Sequence, residues 1–87
     1  MNPTELIDKI NHHFSIDITK KSKERIVVFS RYIFFEIVKN SHTNWSMNRI
    51  ALLLNQKHER VSEGLQRCID LQNDSEFLEI KKQIIKL

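Results

Sequence analysis

Three groups of residues in this sequence have side chains and spacing suited to chemistry. The first is Lys57-His58-Glu59-Arg60, at the expected head of a helix. There an arginine can grip guanine with two hydrogen bonds, and a histidine can touch a base edge or a thymine methyl. The second is the run Lys20, Lys21, Lys23, Arg25 and Arg31, opposed by Glu24 alone. Such a run either neutralises phosphates or is simply a solvated turn. The third is Ser46 and Asn48, where the free N–H groups of a helix start favour an anion. Taken alone, His58 also reads as an ordinary solvated histidine.

Catalytic chemistry has little to work with. There is no Gly-x-x-x-x-Gly-Lys segment, no recognisable arrangement of Ser, His and Asp, and no pair of isolated acids in an apolar setting. His12 and His13 are adjacent and so face different sides of a helix, and no cysteine or acid pair stands at ligand spacing. His42 reads as a loop residue without evident partners. Neither a metal nor a cofactor is expected.

These groups need a scaffold, and the composition describes one. The chain has 87 residues, 40% of them hydrophobic and 29% charged, with a net charge of +3, which suits one folded domain covering residues 1–87. No run is long enough to span a membrane. The segment Met1 to Phe14 mixes charges among its apolar residues, so a signal peptide is not expected and a cytoplasmic protein is. Cys68 is the single cysteine, which excludes an internal disulfide and points to core packing. The stretch Asp70 to Glu79 leans acidic.

With one glycine, one proline and apolar spacings of three and four, helices should dominate. The expected fold is all-α, a small helical bundle. A first helix over Thr4 to Phe14 presents Leu6, Ile7, Ile10 and Phe14. Ile16 and Ile18 then pin a loop to the core. A second helix over Lys23 to Lys39 is apolar on most of its surface and should be central. Its spare residues Val28 and Phe35 suit either the core or a dimer surface. Ser46 should cap a third helix from Met47 to Asn55, with Trp45 as a hydrophobic staple on Ile50. Asn55 can take the left-handed conformation that ends it. A fourth helix over Lys57 to Gln72 should bury Val61, Leu65, Cys68, Ile69 and Leu71. Asp74 or Ser75 caps a fifth, with Phe77, Ile80, Ile84 and Leu87 inward.

A short helix, a tight turn and a longer helix over residues 46–73 have the layout of a helix-turn-helix, although any small bundle contains such pairs. In order and spacing the chain resembles the C-terminal DNA-binding domain of the bacterial replication initiator DnaA over nearly its whole length. That family has an aromatic residue ending its first helix, a basic loop, a helix opening with Arg and a polar residue, a Ser-Leu-Pro-Glu-Ile-Gly helix, and then Arg-Asp-His-Thr-Thr-Val. Phe14, Lys20 to Arg25, Arg31-Tyr32, Ser46-Met47-Asn48-Arg49-Ile50-Ala51 and Gln56-Lys57-His58-Glu59-Arg60-Val61 stand in those places. Gly64 falls where the family has a small residue on its recognition helix, which would allow close packing.

The resemblance implies a Trp-repressor-like helix-turn-helix and a duplex DNA partner, in replication or transcription control, in a phage or mobile element or a cell. It also divides roles between phosphate positioning and base readout. Lys57, His58 and Arg60 would lead the recognition helix and Arg31 would clamp phosphate. One of Lys21, Lys23 and Arg25, with Arg25 the candidate, would enter the minor groove. By its own chemistry Tyr32 suits either stacking on a nucleotide or resting against the basic loop. Lys57, Glu59 and Arg60 replace an acid and two threonines of the family pattern, so a different target sequence is expected. Glu59 suits DNA only by accepting from a cytosine amino group or by pairing with a neighbouring cation. A monomer is the expected state, with a homodimer open through the second helix. The alternative is a protein-interaction module that keeps the fold without DNA binding.

Overall fold

In the computed structural model, which describes residues 2–87, the first helix opens on Asn2. Its side chain accepts the Thr4 N–H at 2.8 Å, and Pro3 occupies the first turn, where a missing N–H costs nothing. This helix, α1, spans Pro3–Phe14 and ends on Ser15 in the left-handed region at φ 55°. Four more helices follow: α2 (Arg25–Ser41), α3 (Met47–Leu52), α4 (His58–Asp70) and α5 (Ser75–Ile85). There is no strand among the described residues, and the protein is an all-helical bundle. No described helix is long and apolar enough to cross a membrane.

Helix α2 is the centre, packing against all four others. It buries Val27, Ile33, Phe34, Phe35 and Val38, each burial of this kind contributing roughly 1.5–3 kcal/mol. It starts two residues later than its periodicity predicts, because Lys23 and Glu24 belong to the loop, and it runs on to Ser41. Phe35 is only 2% exposed and lies in the core, while Val28 is half-buried. Helix α4 lies close on α2 because residue 64 is glycine. A Cβ there would meet Phe35 Cδ2 at 2.8 Å and Tyr32 Cδ1 at 3.2 Å. Cys68 adds to this seam. Its thiol donates to the Tyr32 carbonyl at 3.3 Å, and burial pushes its pKa up to about 12, so it packs as a neutral thiol.

Two expectations are corrected. Ile69, expected inward, is 59% exposed. Val61, Gly64 and Cys68 form the buried line of α4, and at 3.6 residues per turn Ile69 sits roughly 100° on from Cys68. Helix α3 ends at Leu52, before Asn55, its last turn tightening into i to i−3 bonds from Leu53, Leu54 and Asn55. Asn55 then takes φ 55°, and the Gln56 N–H closes on the Ala51 carbonyl at 3.0 Å. Together these make the left-handed helix ending that Asn tolerates. At the last helix it is Asp74 that caps, accepting the Phe77 N–H at 2.9 Å.

Candidate nucleic-acid interface

The tight turn sets the direction in which α4 leaves α3. Leu54 is fully buried, Asn55 reverses the chain, and Lys57 becomes the N-cap residue of α4 in extended geometry. Its carbonyl accepts the Arg60 N–H at 2.9 Å. The Lys57 side chain forms no cap bond and is exposed.

Opposite this turn runs the loop from Ile16 to Glu24. Its local fold begins at Asp17, whose Oδ1 accepts the Thr19 N–H at 2.9 Å and the Thr19 hydroxyl at 2.6 Å. Those bonds, the hydroxyl first, hold the Asp17 carboxyl below its ordinary value of 3.8. From α1, Asn11 Oδ1 accepts the Ile18 N–H at 2.9 Å, and Ile18 is fully buried. From α2, the Arg31 guanidinium donates to the carbonyls of Ile18 at 2.8 Å, Lys20, and Ser22 at 3.4 Å.

Between loop and turn lies an open groove of about 810 Å³. Lys21, Lys23, Arg31, Lys57 and Arg60 line it, with Glu63 as its one carboxylate and Val28, Tyr32 and Phe35 among its apolar wall. Five of the nine residues singled out in the sequence therefore converge from three separate segments. Lys21, Lys23 and Lys57 have no ion-pair partner among the described residues. Arg60 meets Glu63 at 3.3 Å, with both side chains about half exposed or more, a pairing weak enough in water to exchange for another anion. Burial, and then the nearby Arg60, push the Arg31 guanidinium below its ordinary value of 12.5. Two cations thus share one wall of the groove.

The other four residues lie elsewhere. Arg25 does not line the groove. It pairs with Glu76 of α5 at 2.9 Å, which raises its pKa through that hydrogen bond and charge. His58 turns to Glu59 at 3.5 Å. Ser46 accepts the Arg49 N–H at 3.1 Å as the cap of α3, and Asn48 is exposed beside it. Trp45, expected as a staple, is half-buried at the core edge with its rings engaged by two neighbours. His42 stacks on it at 4.1 Å and Arg49 lies 3.7 Å from its ring centre. His42 therefore has a partner that its loop position in the sequence did not show.

The groove also contains residues that the sequence did not mark as part of a site: Thr19, Ser22, Val28, Asn55 and Gln56. No spacing marks Thr19, which lies in the turn that the Lys20 N–H closes on the Asp17 carbonyl at 3.3 Å. On α4, Glu59 and Glu63 lie across the helix from the buried Val61, so its outermost line carries carboxylates. No protein-family model matches the chain, and no curated protein and no solved structure matches it either.

Proposed function

We propose that the protein is a non-enzymatic double-stranded DNA-binding protein whose groove seats one sugar-phosphate strand. The observation that carries this reading is the convergence of five cations and one carboxylate between the basic loop and the head of α4. A duplex strand presents a regular row of negative charges, and three of these lysines have no internal partner. With the strand in the groove, the start of α4 enters the major groove on one side and the loop approaches the minor groove on the other. The ordered resemblance to the initiator's DNA-binding domain supports the same placement and a role in replication or transcription control.

Within this reading Lys21, Lys23 and Lys57 fix position on phosphates, and Arg60 exchanges Glu63 for a guanine edge or a phosphate. Glu59, on the outer line of α4, accepts from a cytosine amino group, which makes the target differ from that of the initiator family. Arg25 reaches DNA only by leaving Glu76.

Selection of bound duplexes from a random pool, followed by titration at several salt concentrations, tests this. Enrichment of one sequence is expected, with a log–log salt slope of about −3 to −4 for four engaged cations. Arg60→Ala should relax base preference, whereas Lys21→Ala should weaken binding on all sequences and reduce the slope by about 0.9. Equal effects of both on every sequence would show that α4 is not the reading helix. No enrichment and no binding at low salt would end the DNA reading. A protein-interaction role is the second reading. It is favoured by an apolar cleft of about 220 Å³ beside Pro3, Leu6, Ile37, Ile84 and Ile85, away from the basic groove.

A further inference from the structure

Lys21 and Lys23 sit on a loop with no glycine, no proline and no regular structure between Ile16 and Glu24. Left to itself such a segment would sample many conformations, and its two lysines would lose entropy on meeting a ligand. Asn11 and Asp17 hold its start, and one side chain of α2 holds the part that carries the lysines. Arg31, one turn and a half into α2, reaches the carbonyls of Ile18, Lys20 and Ser22. The Lys20 and Ser22 carbonyls flank Lys21 and precede Lys23, and Lys21, Ser22 and Lys23 all line the groove. Holding the carbonyls on either side of Lys21 and next to Lys23 therefore holds the backbone from which both lysines project.

The chemistry requires an arginine. A guanidinium spreads five donors over a rigid plane and can hold several carbonyls at once, whereas an ammonium offers three donors from one point. Arg31 is also half-buried, and its hydrogen-bond partners are the loop's own carbonyls.

We infer that Arg31 is a positioning residue, which presents Lys21 and Lys23 to the strand in a preformed arrangement and does not itself clamp phosphate. The inference rests on the DNA-binding reading for its purpose and on the three carbonyl bonds for its geometry. Partial burial beside Arg60 fits this role, because the carbonyl oxygens compensate a cation that has lost water.

The experiment uses the full chain, with Arg31→Lys as the main variant because it keeps the charge, and Arg31→Ala beside it. Amide exchange from Ile18 to Lys23 is followed without DNA. Affinity for a mixed-sequence duplex is measured at several salt concentrations, in the parent and in a Lys21→Ala/Lys23→Ala background. Arg31→Lys should speed loop exchange about tenfold, as expected for losing one or two hydrogen bonds. It should weaken duplex binding about tenfold and lower the salt slope by about 1.8, the share of two lysines. In the double-lysine background it should cost nothing more. Full additivity, with a slope change of about 0.9 from Arg31→Ala in both backgrounds and almost none from Arg31→Lys, would mark Arg31 as a phosphate contact and overturn the inference. Unchanged loop exchange would overturn it independently of DNA. Absence of duplex binding by the parent would instead overturn the DNA reading, and the role of Arg31 in presenting lysines to DNA with it.

Discussion

Two connections face each other across the basic groove, and they are held in different ways. The turn from Leu53 to Lys57 is fixed by its own backbone: the Asn55 left-handed residue, the Gln56 to Ala51 bond and the buried Leu54. The loop from Ile16 to Glu24 is fixed by side chains from elsewhere, Asn11 of α1 and Arg31 of α2, with Asp17 and Thr19 folding its start. The difference teaches where each will fail. A connection built from local backbone bonds and a core anchor fails with the domain. One suspended from two distant side chains can loosen while the domain stays folded.

The largest expected effect lies in the turn. Leu54→Ala removes a fully buried side chain and should cost about 2–5 kcal/mol in chemical denaturation. Exchange should speed at every core amide. A loss confined to residues near 54 would break the comparison, since the turn would then be as separable as the loop. Next comes Gly64→Ala on the seam that seats α4. The added Cβ would press on the buried Phe35 ring at 2.8 Å, which costs about 1–3 kcal/mol against a helix-propensity gain of up to about 1 kcal/mol. Net destabilisation is expected in urea unfolding. A stabilised variant would mean that α2 and α4 part easily.

Smaller substitutions sharpen the contrast. Asn55→Ala, which keeps φ 55° at a steric cost, should destabilise by about 1 kcal/mol, while Asn55→Gly should stay within a few tenths. On the loop side, Asn11→Ala leaves the Ile18 N–H without its 2.9 Å acceptor and should cost about 1 kcal/mol. Its exchange effect should be confined to the loop.

The mildest test is pH. Because hydrogen bonds from Thr19 lower the Asp17 carboxyl from its ordinary 3.8, its contribution is complete above that value and disappears as pH falls through the lowered one. NMR titration should show the Thr19 amide moving with the Asp17 carboxyl below 3.8. The amides of Asn55 and Gln56, held by backbone carbonyls, should stay still over the same range. A concerted shift of both connections would erase the distinction.

The turn was legible in the sequence because its causes are local. Ser46 before an apolar run, Asn55 at the helix end and the capping Asp74 act within four residues of themselves, so reading them needs no knowledge of the fold. The same holds for the apolar stripes of α1, α2 and α5. Ile69 was misread because an apolar residue at the edge of a stripe looks like one inside it until a neighbour covers it or fails to. His42 was misread for a related reason, since its partner is an indole three residues on in an irregular segment.

The basic site divides along the same line. The sequence by itself determined that cations cluster in the loop and at the head of α4, that the chain is helical, and that residue 64 allows close packing. Only tertiary structure decided which cations face one another. It set Lys21, Lys23, Arg31, Lys57 and Arg60 around one groove, drew Arg25 aside to Glu76, and turned Arg31 onto the loop carbonyls. The physical reason is reach. Capping and periodicity act over a single turn of helix. The partners of Arg25 and Arg31 lie 51 and up to 13 residues away, and meet only when α2 is packed at the centre of the bundle.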